Sequence, residues 1–72
     1  MKHNAMPQLS AGETATIASV RATRGAAKRL ADMGLIRGAK LEMVKPGLPC
    51  IVRVGGVSVG IGGALQQLIE LM

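Results

Sequence analysis

The chain has 72 residues and a formal charge of +5, with 49% hydrophobic residues but no Phe, Tyr or Trp. That length excludes more than one domain, and at about this size folding buries only about 60% of the surface of the unfolded chain, so Val, Ile, Leu, Met and Ala must build a small, compact core. The missing aromatics exclude the usual grip on single-stranded nucleic acid, bases stacked on rings, and the nine Lys and Arg never form a run longer than Lys28-Arg29.

Residues 1–8 read as a flexible tail without the apolar stretch of a signal peptide, and residues 9–72 as the folded domain. Leu9-Ser10-Ala11-Gly12-Glu13 signals a turn, and the β-branched segment after it predicts a first strand over residues 13–21. Its alternation breaks, with Ala15 and Ile17 on one face and Val20 on the other. This predicts a bulge or bend near Ala18-Ser19, of the kind a small barrel needs.

Thr23 is placed to cap a helix in which Ala26, Ala27, Leu30, Ala31 and Met33 recur at three and four as one apolar face, with Lys28, Arg29 and Asp32 opposite. About ten residues is too short to be stable alone, so this helix must pack over something apolar, such as the open end of a barrel. Gly34 reads as the helix C-cap and Gly38 as a turn, at positions where positive φ costs a residue with a Cβ about 1–2 kcal/mol. Leu35, just past the cap, is expected to fold back onto Leu30 or Ala31.

Lys40 to Lys45 alternates as a second strand, with Leu41 and Met43 on one face, and Pro46-Gly47-Leu48-Pro49 stops it. Cys50 to Val54 and Val57 to Ile61, joined by Gly55-Gly56, predict a hairpin with a type I′ or II′ turn. Counting outward pairs Val54 with Val57, Val52 with Val59 and Cys50 with Ile61, six apolar side chains on one face. From Gly62 onward, helical and strand periodicities both fit. A strand paired with the first would hide two edges, so a short helical turn at 63–67 and then a closing strand are expected.

The single cysteine, Cys50, cannot form an internal disulfide and points to the cytoplasm, and no window approaches the roughly 20 apolar residues of a membrane-crossing helix. One His and four acidic residues spread along the chain supply no zinc or iron ligand cluster, and Cys50 reads as a small buried hydrophobe. The glycines from Gly55 to Gly63 lack the Lys-Ser or Lys-Thr of a phosphate loop. Ser10, Ser19 and Ser58 have only His3, in the tail, as a conceivable base. No catalytic, cofactor or metal residue is therefore assigned, which leaves binding as the expected activity.

The order of strand, helix ending in Met33-Gly34-Leu35, turn on Gly38, strand, Pro-rich loop through Gly47 and Pro49, and hairpin resembles the FeoA family, from about Leu9 to Met72. The segment from Arg29 to Ala39 resembles that family's most recognisable motif, an apolar residue followed by Gly-Leu and then a turn glycine. The chain departs from the family at Gly60-Ile61-Gly62-Gly63, where a polar or basic residue is more usual. The resemblance implies a mainly β fold: a small SH3-like barrel of about five strands, with one short helix after the first strand and a short helical turn before the last.

It also implies a cytoplasmic accessory protein of ferrous iron uptake that binds the cytoplasmic GTP-binding region of the membrane transporter FeoB and supports its assembly or activity. Iron itself would pass through the partner. The same SH3-like domain ends some metal-responsive repressors, but no helix-turn-helix precedes it here, which favours a free-standing protein. The helix and the loop after it are the expected contact surface, with Arg24, Arg29 and Arg37 to meet an acidic patch. Leu35 and Ile36 either expose an apolar edge there or serve as core and cap contacts. The rival readings are an RNA-binding accessory barrel and a homo-oligomeric adaptor whose sheet edges pair with copies of the chain.

Overall fold

The computed structural model describes residues 5–72. Five strands, β1 (Thr14–Val20), β2 (Lys40–Lys45), β3 (Cys50–Val54), β4 (Val57–Ile61) and β5 (Ile69–Leu71), form one antiparallel sheet in the order β4-β3-β2-β1-β5. Helix α1 (Arg24–Asp32) joins β1 to β2, and the single turn α2 (Gly63–Gln66) joins β4 to β5. This is the mainly β, SH3-like architecture expected, including the helical turn and the closing strand near the C-terminus.

The sheet folds over at β1. Thr14, Ala15 and Thr16 pair with β2, whereas Ile17, Ser19 and Val20 pair with β5, and the register slips between Ile17 and Ser19. The unpaired Ala18 is the bulge that the broken alternation predicts, and the extra twist it adds lets one strand serve both halves of the sheet. Among the described residues the buried aliphatic side chains form one cluster, centred on Ile17, Leu30, Leu35, Leu41, Met43, Val52, Ile61 and Ile69.

The start of the domain moves forward from the expected residue 9. Of the segment read as a flexible tail, residues 1–4, with His3, lie outside the described residues. Ala5, however, bridges to Glu70 on the outer edge of β5, and Met6 opens a short 3-10 turn (Met6–Gln8) with its side chain fully buried. A thioether seated in the core outweighs the tendency of a chain end to fray.

Helix α1 ends in a Schellman turn. The Leu35 N–H donates to the Leu30 carbonyl at 2.8 Å and the Gly34 N–H to the Ala31 carbonyl at 2.9 Å, with Met33 as the C-cap and Gly34, at φ +84°, the residue beyond it. The apolar face of α1 is narrower than its spacing predicts. Only Leu30 is buried, while Ala26, Ala27 and Met33 are half-buried and Ala31 is exposed.

The β3–β4 hairpin has the register obtained by counting, closed by Gly55 and Gly56 at φ +59° and +80°, as a type I′ turn requires. Cys50, Val52, Val54 and Ile61 are buried and Val59 is half-buried, but Val57 is 60% exposed. The tip of an edge strand overreaches the core, so its inward face has nothing above it.

Candidate functional site

Beside α1 the surface is hollowed into a groove of about 420 Å³, walled by Ser19 and Val20 of β1, Ala27 and Ala31 of α1, and Leu35, Ile36 and Arg37 of the following loop. The sequence makes this hollow in two ways. Ala27 and Ala31 lie one turn apart on one side of α1, and their methyl groups leave space between helix and sheet. The Schellman turn then reverses the chain, sending Leu35 into the core and Ile36 out to solvent.

The loop is held in that shape by main-chain bonds. The Ala39 N–H donates to the Ile36 carbonyl at 3.0 Å and the Gly38 N–H to the Ile17 carbonyl at 2.8 Å, with Gly38 at φ +88°. The groove is thus anchored on β1 at both its strand and its loop wall.

Three of the five residues assigned to the contact surface line this groove, though not equally. Ile36 is 52% exposed and offers the apolar edge, Arg37 stands beside it, and Leu35 is 1% exposed. Leu35 therefore shapes the groove from within the core and cannot present its side chain to a partner. Arg24, exposed at the first turn of α1, falls on the same side as Ala27 and Ala31 by helical spacing. Arg29 follows Ala27 by two residues and so points about 160° away around the helix, off the groove. The groove walls Ser19, Val20, Ala27 and Ala31 are absent from the sequence assignment. Ala27 and Ala31, four residues apart and in line with Arg24, were the available signal.

The charges beside the groove that lack an ion-pair partner among the described residues are of one sign. Arg24 and Arg37 make no ion pair among the described residues, whereas Arg21 is held by Glu70 at 3.1 Å. Glu70 also accepts from the Ser19 hydroxyl at 2.6 Å. That hydrogen bond, with the Arg21 charge, holds the Glu70 carboxyl below its ordinary value.

A second hollow of about 280 Å³ opens between the Pro46–Pro49 loop and α2, with Pro7, Met43, Leu48, Cys50 and Gln66 among its walls. At its edge the buried Gln66 amide donates from Nε2 to the carbonyls of Gly47 at 3.0 Å and Ile61 at 2.9 Å. Burial pushes the Cys50 thiol up, and its Sγ donates to Met6 Sδ at 3.6 Å, so it packs as a neutral thiol. Among the described residues no three His, Cys, Asp or Glu side chains gather as a metal site would need.

The family model of the FeoA domain matches residues 5–71. The solution structure of a FeoA protein from Chlorobium tepidum is 33% identical, with a TM-score of 0.83 over 93% of this chain and 67% of that one. FeoA of Stenotrophomonas maltophilia, solved with zinc and described as an SH3 domain protein, has a TM-score of 0.82 at 23% identity, over 97% of this chain and 91% of that one. T. acidophilum IdeR gives a TM-score of 0.86 at 25% identity, over 93% of this chain but 32% of its own length. No curated protein sequence matches the chain.

Proposed function

Because this chain belongs to the FeoA domain family, we propose that it is an accessory protein of ferrous iron uptake that docks on the cytoplasmic GTP-binding region of the membrane transporter FeoB. The groove beside α1 supports this reading most directly. An apolar floor with Ile36 half-exposed at its rim, flanked by the unpaired cations Arg24 and Arg37, suits a partner segment that carries an apolar side chain next to acidic ones. Covering the exposed half of Ile36 contributes about 1 kcal/mol, and each charge pair at the rim about 0.5–1 kcal/mol. The association is then moderate and weakened by salt.

The same features weigh against RNA as the partner. The rim cations flank an apolar hollow instead of forming a continuous basic stripe, and Arg29 faces elsewhere. No helix among the described residues is long and apolar enough to cross a membrane, so in this reading the protein works at the cytoplasmic face through its partner.

The test is binding of the chain to intact FeoB in nanodiscs, with the transporter's GTP hydrolysis measured alongside. Ile36→Glu and Arg37→Glu should each weaken binding at least about tenfold, a loss of about 1.4 kcal/mol or more. Absence of wild-type binding overturns the proposed partner. Wild-type affinity in both variants overturns the groove as the contact surface. Faster hydrolysis on binding assigns an activating role, and an unchanged rate assigns assembly.

A further inference from the structure

The two edges of the sheet are treated differently. The outer edge of β5 is covered where Ala5 bridges to Glu70, and charged side chains, Glu70 and Arg21, lie there. Among the described residues the outer edge of β4 is bare. In a hairpin closed by a two-residue type I′ turn, the residues flanking the turn form a hydrogen-bonded pair, and such pairs alternate outward. Val57, Val59 and Ile61 therefore direct their main-chain groups to β3, while Ser58 and Gly60 direct theirs away from the sheet. Among the described residues no other element bonds to those outward groups.

The pattern is symmetric about Val59. In an antiparallel pairing of two β4 strands centred there, Ser58 of each copy stands opposite Gly60 of the other. All four outward-facing residues are then at hydrogen-bonded positions, giving four main-chain bonds. Val59, half-buried, faces Val59, and the 60% exposed Val57 stands in register with Ile61, whose own side chain is already buried in its core, so Val57 and Val59 supply the apolar surface of the contact. Gly60 carries no side chain to obstruct the approach.

Charge favours a like partner at this edge alone. Residues 54–69 contain no Asp, Glu, Lys or Arg, whereas the chain as a whole carries +5 and repels its copies elsewhere. The edge also lacks the Lys or Pro that commonly blocks such pairing. We propose that the β4 edge is a self-association surface, through which two copies of this chain join in a two-fold, antiparallel β4–β4 contact that continues both sheets into one of ten strands. A contact of five residues per copy is small, which places the dimer in the micromolar to millimolar range. The surface lies apart from the groove assigned to the transporter and does not depend on that assignment.

The test is sedimentation equilibrium of the whole chain from about 10 μM to about 1 mM, with amide shifts followed by NMR over the same range. The wild-type mass should rise from 7.4 kDa toward twice that value, with concentration-dependent shifts concentrated at Ser58 and Gly60 and absent from β5. Ser58→Lys places an added cation at the edge in each copy, and Gly60→Pro removes one outward donor per copy. Either should weaken dimerisation at least about tenfold while leaving the monomer's spectrum folded. A constant 7.4 kDa throughout overturns the proposal. So does a dimer that both folded variants form as well as wild type, because it must then use another face.

Discussion

Ser19 and Glu70 stand opposite each other in the β1–β5 ladder just past the bulge, and the Ser19 hydroxyl donates to the Glu70 carboxylate at 2.6 Å. Arg21 Nε reaches the same oxygen at 3.1 Å, and the two together hold the carboxyl below its ordinary value. At Glu70 the folded chain therefore binds fewer protons than the unfolded chain. Its contribution to stability is complete above the ordinary carboxyl value of 4.5 and fades as pH falls through the lower folded value. Urea midpoints of wild type and Glu70→Gln should differ by a constant amount above about pH 5.5 and converge in acid, as pH falls through the lowered folded value. A gap that widens in acid contradicts the assignment.

The Gln66 amide is the only polar side chain in the interior of the described residues, and it bridges the Pro46–Pro49 loop to the end of β4. Gln66→Leu keeps the apolar stem but leaves the Gly47 and Ile61 carbonyls without this donor. The expected cost is about 2 kcal/mol, read as a lower urea midpoint at unchanged slope.

Met6 has no exposed surface, and its sulfur touches Cys50 across the base of the fold. Met6→Ala should cost about 2–4 kcal/mol by thermal or urea unfolding, as truncation of a buried Met does elsewhere. A mobile tail at this position would instead leave stability unchanged.

Two glycines near the ends of α1 should respond in opposite directions to the same change. Gly34 sits at φ +84° and Gly25 has neither a positive φ nor any atom near the place of an added Cβ. Gly34→Ala should destabilise by about 1–2 kcal/mol, and Gly25→Ala should stabilise by about 0.5–1 kcal/mol. Paired thermal melts would show both shifts.

Leu35 and Ile36 are neighbours with separable roles. Leu35→Ala should cost about 2–4 kcal/mol of folding stability, because its side chain is buried. Ile36→Ser should cost about 1 kcal/mol of stability, because only half of its side chain is covered in the free chain, and act chiefly on transporter binding. Denaturation of the free chain, set beside binding of folded variants, separates the two.

The hairpin was fully legible because a Gly-Gly loop and a period of two admit one register, and the bulge at Ala18 was legible because Ile17 and Val20 cannot share a face without it. The inward turn of Leu35 was legible only as one of two outcomes, since a residue after a helix stop can pack on the core or on a partner. Met6 carried no signal, because one apolar residue in a polar segment has no period. Gln66 carried none either, as its burial comes from two carbonyls distant in sequence. The orientation of Arg29 away from Ala27 was present in helical geometry alone. The groove was not, because it exists only where β1 passes beside α1.

The bridge between Ala5 and Glu70 brings the way into this fold beside the way out. A module whose two ends meet at one sheet edge can be spliced onto another polypeptide, or set within one, with little connecting chain and no strain on the graft. The same architecture accounts for about a third of T. acidophilum IdeR, as such portability allows.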